Sequence, residues 1–158
     1  MTLSETVSVF GLVFGVSGFV LGVLNYLRDR HDVVVSLQWD LDVTEGSGYD
    51  HTKKWGLIRV TNVGRRPTYV SHVALKLPKG YDHTHLVIMD GIVGKKLTEG
   101  DPSETYVVDQ SGMEHYAKDW KCIVAQVNDS TGKTWYSKKL KSDEIPSWAQ
   151  ASACMTAK

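Results

Sequence analysis

Hydrophobic and polar positions divide this chain at about residue 28. From Thr6 to Leu27 the sequence TVSVFGLVFGVSGFVLGVLNYL carries no charged side chain. From Val33 onward, apolar residues fall into short runs that alternate with polar ones and stop at Gly, Pro, Asn or Asp. The first pattern predicts one helix over 6–27, about 33 Å long at about 1.5 Å per residue, enough for a hydrocarbon layer of about 30 Å. The second predicts strands, because successive strand side chains point to opposite faces and the turn residues cannot continue a ladder.

The strand pattern is clearest over 32–43, where Val33, Val35, Leu37, Trp39 and Leu41 alternate with Val34, Ser36, Gln38, Asp40 and Asp42. The polar stretch 44–54 is a loop, 55–63 (WGLIRVTNV) the next strand, Gly64 to Pro67 a turn, and 68–77 (TYVSHVALKL) a third strand. After a turn over 78–82, HLVIMD (85–90) is a short fourth strand, and 96–108 reads as a loop leading into a further one. QSGMEHYAKDW (110–120) holds one or two helical turns, and 122–140 forms a closing hairpin about Asp129-Ser130-Thr131-Gly132. About seven short strands with frequent turns predict a mainly β fold, an antiparallel sandwich. The expected plan is a tail over 1–5, a transmembrane helix over 6–27, a basic flank over 28–31, a β-sandwich domain over 32–141 and a tail over 142–158. Within that tail a short helix, IPSWAQ, is expected to rest on the sheets.

Three phrases carry a resemblance: Tyr26-Leu27-Arg28-Asp29-Arg30 at the end of the apolar run, Val60-Thr61-Asn62-Val63-Gly64-Arg65-Arg66-Pro67, and Asn128-Asp129-Ser130-Thr131-Gly132-Lys133. With them the chain resembles uncharacterised bacterial single-pass membrane-anchored proteins with an immunoglobulin-like β-sandwich domain. The resemblance implies that fold and carries over no functional residue.

A cleaved signal peptide would have a basic leader, a shorter apolar run and a small-residue cleavage site. Here the leader is MTLSE, and NYLRDRHD follows the run. Arg28 and Arg30 lie after the helix, whereas the first five residues hold no Lys or Arg. That bias predicts an outward N-terminus and a domain on the cytoplasmic side of a bacterial inner membrane. Gly11, Gly15, Gly18 and Gly22 share one helical face with Ser8 and Asn25, within an arc of about 100°. Such a face lets helix backbones approach closely in lipid, so the expected partners are the bilayer and either a second copy or another membrane helix.

Charge adds little. All 18 Lys and Arg follow Leu27, and Glu5 alone of the 18 acidic residues precedes it, so the part beyond the helix carries +1. That balance gives no reason to expect nucleic acid. Cys122 and Cys154 are too few for a disulfide framework. Gly64, Arg65 and Arg66 form a candidate anion-binding turn, set against the simpler reading of a solvated turn. His83 and His85, with His51 or His115, lack a completing carboxylate or cysteine for a metal site. Cys122 lies in the apolar run CIVAQV, where a buried thiol is a small hydrophobe. Gly132-Lys133-Thr134 lacks the upstream glycine of a phosphate loop. Trp39, Trp55, Trp120 and Trp135 fall in strand-like segments, and Trp148 is a candidate exposed aromatic in the tail.

No catalytic residue, metal site or cofactor is expected. The leading expectation is a membrane-tethered, non-catalytic interaction or scaffold module that assembles through its helix. The alternative is a membrane-perturbing effector, of phage defence or exclusion type, whose domain senses a signal. A hydrolase or metalloenzyme comes third.

Overall fold

The computed structural model describes residues 3–92 and 94–150. Its first element, α1 (Leu3–Arg28), is the one helix among the described residues long and apolar enough to cross a membrane. Over Phe10–Arg28 its mean hydropathy is 1.8 and none of the window is buried. The helix starts ahead of the expected Thr6, because Glu5 ends the apolar run without interrupting backbone hydrogen bonding.

Eight strands follow: β1 (Val33–Leu41), β2 (Trp55–Asn62), β3 (Thr68–Lys76), β4 (His85–Val87), β5 (Lys95–Leu97), β6 (Glu104–Asp109), β7 (Val124–Asp129) and β8 (Thr134–Tyr136). Every pairing is antiparallel. One sheet has the order β1-β2-β6, and the other β4-β3-β7-β8. In the second sheet β4 pairs Ala74–Lys76 and β5 pairs Thr68–Val70, so the two short strands divide one edge of β3 while β7 takes the other.

Alternation sets the core. Val33, Val35, Leu37, Ile58 and Val60 of the first sheet join Val70, Val73, Leu75 and Val127 of the second in one buried cluster. The 3-10 segment Met113–Cys122 links β6 to β7 and inserts Met113, Tyr116, Ala117 and Trp120 into the same cluster. The expected hairpin is present, with Asn128 paired to Thr134. Its turn is held by the Asp129 carboxylate, which accepts from the backbone N–H of Thr131 at 2.9 Å and of Lys133 at 2.8 Å.

Several expectations need correction. HLVIMD is a strand only to Val87, and Met89–Gly91 is a 3-10 turn in which a Cβ on Gly91 would lie 2.9 Å from that of Val73. Lys96 and Leu97, read as loop, belong to the strand Lys95–Leu97 because Leu97 buries beside Thr68. Trp120 belongs to the 3-10 segment and not to a strand. Cys122 ends that segment and is exposed, two residues before β7 begins.

The tail departs from expectation in a more telling way. Trp148 is 7% exposed, and its ring meets Trp39 edge-on with centroids 5.6 Å apart. Pro146 and Ala149 are buried too, so 145–150 does rest on the sheets. Residues 151–158 of the expected tail, including Cys154, lie outside the described residues.

Candidate functional site at the helix–domain junction

Only residues 29–32 separate α1 from β1, and the domain holds each of them. Asp29 is held through its side chain: its Oδ2 accepts from Arg66 Nη2 at 2.6 Å and from Arg66 Nε at 3.0 Å. Arg30 is held by contact, since a Cβ on Gly64 would sit 2.2 Å from the Arg30 carbonyl oxygen. The His31 carbonyl accepts from Lys133 Nζ at 3.1 Å. The Asp32 carbonyl accepts from the backbone N–H of Val63 at 3.0 Å and of Gly64 at 3.1 Å.

The turn after β2 makes this grip. Asn62, 6% exposed, donates through Nδ2 to the carbonyls of Arg66 at 2.9 Å and Leu97 at 3.0 Å, while its Oδ1 accepts from Gly64 N–H at 3.0 Å. A buried Asn whose amide and carbonyl both find backbone partners fixes the turn and ties it to the second sheet. Gly64 is required here by close approach: its missing Cβ is the space the linker backbone occupies.

Electrostatics follow from that geometry. The hydrogen bond from Arg66, opposed by some desolvation and helped by the charges of Arg66, Arg65 and His31, holds the Asp29 carboxyl below its ordinary value of 3.8. The same bond raises the Arg66 guanidinium. Beside the pair, Tyr26, Arg30, Asp129, Thr131 and Lys133 help to line a cavity of about 310 Å³.

The candidate anion-binding turn is therefore used within the chain. The Gly64 N–H is spent on Asp32 and Asn62, Arg66 on Asp29, and Arg65 Nε stands 4.0 Å from Glu99. The carboxylates that the two guanidiniums meet belong to the chain itself, Asp29 for Arg66 and Glu99 for Arg65.

The continuous helix gathers Ser8, Gly11, Gly15, Gly18, Gly22 and Asn25 on one face. A Cβ at any of the four glycines would meet nothing within 4 Å. Ser8 Oγ donates to the Ser4 carbonyl at 2.9 Å, a bond within its own helix. The Asn25 carbonyl accepts from Asp29 N–H at 2.9 Å, carrying the helical pattern one residue into the linker. Arg28 ends α1 and Arg30 lies two residues on.

The histidines are dispersed. His85 Nε2 donates to Gln126 Oε1 at 3.1 Å, and His115 packs edge-on to Tyr81 and Tyr116. Among the described residues no group of three His, Cys, Asp or Glu gathers as metal ligands would. Sequence reasoning missed Asp29, Asn62 and Lys133 as members of the junction. Asn62 alone carried a local signal, since Asn commonly bonds the backbone two residues ahead.

The junction thus acts mechanically: it makes the end of α1 and the start of the β domain one hydrogen-bonded unit. No protein-family profile matches the chain, and no curated protein matches it.

Proposed function

We propose that the chain is a membrane-tethered, non-catalytic interaction module, in which α1 crosses a bacterial inner membrane once and presents an immunoglobulin-like domain on the cytoplasmic side. The observation that carries this reading is the exposure of α1. Its described apolar side chains, among them Phe10, Leu12, Phe14, Phe19, Leu21 and Leu24, are exposed, whereas a helix of a soluble core would bury such a face. Lipid is the environment that relieves that exposure.

The immunoglobulin-like reading is supported by strand order. An A-B-E sheet facing a C′-C-F-G sheet is the order β1-β2-β6 and β4-β3-β7-β8, with the C′ position divided between β4 and β5. Arg28 and Arg30, at the domain end of α1, support the cytoplasmic placement. The four-residue linker supports a tether that fixes orientation, because a flexible tether needs free backbone and this one is gripped at every residue. Tethering raises the effective concentration of a binding surface at the membrane without new contacts.

Assembly through the glycine face completes the proposal. Full-length chain in detergent or lipid, compared with a Gly15→Ile, Gly18→Ile variant, tests it by cross-linking within the helix. Loss of the cross-linked species with an unchanged domain spectrum supports the face as the contact; undiminished association rejects it. Leakage of vesicles by the unaltered chain, absent in the variant, would replace the tether with the membrane-perturbing reading.

A further inference from the structure

The far end of the domain holds a cleft that the tethering reading does not use. The ends of β1, β2 and β6 remote from α1 meet there with the helical residues 147–150. The cleft, of about 280 Å³, is lined by Lys53, Lys54, Gln110, Ser111 and the helical residues Ser147 and Trp148, with Glu114 alongside.

Two of its side chains carry buried donors without partners among the described residues, Gln110 Nε2 and Trp148 Nε1. Gln110 is 5% exposed and Trp148 7%. A third unpartnered donor, Trp39 Nε1, belongs to the ring packed edge-on against Trp148. A buried N–H without an acceptor has lost its hydration for nothing, so native structures seldom leave one open, and two in one cleft with a third on the adjoining ring is a concentrated deficit. The deficit has one sign, since all three groups are N–H donors. The neighbouring acceptor does not relieve it, because the Asp40 carboxylate is engaged by the N–H and hydroxyl of Ser147. Lys53 is shared with Asp109 at 3.5 Å, whereas Lys54 makes no ion pair among the described residues.

We infer that this cleft binds the carboxylate of a small organic acid, with the Trp148 and Gln110 N–H groups meeting one end of the group and Lys54 supplying the opposing charge. A carboxylate is acceptor-only and offers about four lone-pair directions, which matches a corner with surplus donors and a free ammonium. The Trp148 indole supplies the apolar wall that small-molecule sites use to exclude water. The cleft lies away from α1, so the inference stands or falls apart from the membrane reading.

The test follows the indole N–H resonances of full-length chain in detergent micelles during titration with N-acetylglycine and, separately, with its neutral amide, N-acetylglycinamide. The expected result is a saturable shift of the Trp148 indole resonance with the acid and none with the amide, with affinity weakened up to about fivefold in Lys54→Ala, as loss of an exposed charge partner allows. Trp148→Phe assigns the resonance, and where that variant does not fold, assignment through the backbone serves. No shift up to about 10 mM, tenfold above a Kd of about 1 mM, overturns the inference. Equal response to acid and amide overturns it as well. So does an indole proton already at a hydrogen-bonded shift that no ligand moves, which is the behaviour of a Gln110 amide turned to give Trp148 its oxygen.

Discussion

Asp29 and Arg66, 37 residues apart in sequence, meet with both guanidinium donors on one carboxylate oxygen, at 2.6 and 3.0 Å. One member is the first residue after α1, and the other closes the turn after β2. Through this pair the helix is registered to the sheet as well as joined to it.

Gly64 is the position where that registration is least tolerant. A methyl group there meets backbone on both near sides, Arg30 O at 2.2 Å and Asp32 N at 2.7 Å, so linker and turn must part. Gly64→Ala is expected to cost about 1–3 kcal/mol, as overpacking does. For a domain of about 120 residues each kcal/mol lowers Tm by about 4 °C. Arg65→Ala, on the same turn but exposed, is expected to change stability by no more than about 0.5 kcal/mol. Thermal unfolding of the two variants side by side measures the contrast.

The Asp29–Arg66 pair sets a pH dependence of definite sign. A carboxyl held below its ordinary value stabilises the fold at pH above 3.8 and loses that contribution as pH falls through its lower folded value. Asp50, Asp101 and Asp109 shift the same way, chiefly through hydrogen bonds from Thr52, Thr98 and Ser111. Stability of the unaltered chain is therefore expected to fall below pH 3.8. In Arg66→Gln the Asp29 share of that fall disappears, which acid titration of the two chains followed by Asp29 carboxyl NMR resolves.

Much of this fold was legible because a period of two is a local signal. The alternation of β1 and the Asp129 hairpin follow from neighbours in sequence, and both stand where they were expected. What was not legible depends on distance. Leu97 shows no alternation and becomes a strand residue only because β3 offers an open edge. Trp148 read as exposed because its partner Trp39 lies 109 positions earlier. At the junction, Gly64 and the two arginines were recognised as a special turn. The partner of Arg66, the Asp29 carboxylate, was hidden because pairing across 37 residues leaves no periodic trace.

The bulge at the end of β1 supports a further expectation. Asp40 has φ +61°, the one non-glycine residue at positive φ among those described, and its carboxylate accepts from Ser147 N–H at 2.8 Å. Register slips between Gln38 and Leu41, which turns Trp39 over Gly56 and toward Trp148. Asp40→Gly and Asp40→Ala both lose the Ser147 acceptor, but only Ala pays the left-handed penalty. Ala is therefore expected to be about 1 kcal/mol the worse of the two. Trp148→Ala, which empties the buried site, is expected to cost about 3–5 kcal/mol. Denaturant unfolding followed by tryptophan emission ranks all three.

On the proposed reading α1 stays attached to the domain and spans the membrane. Membranes from cells expressing the chain, washed with alkaline carbonate to strip peripheral proteins, provide the direct measurement when the retained protein is analysed by intact mass. The expected result is a membrane-retained chain that still contains Leu3–Arg28. A soluble product beginning after Arg28, or release of the intact chain into the wash, would contradict it.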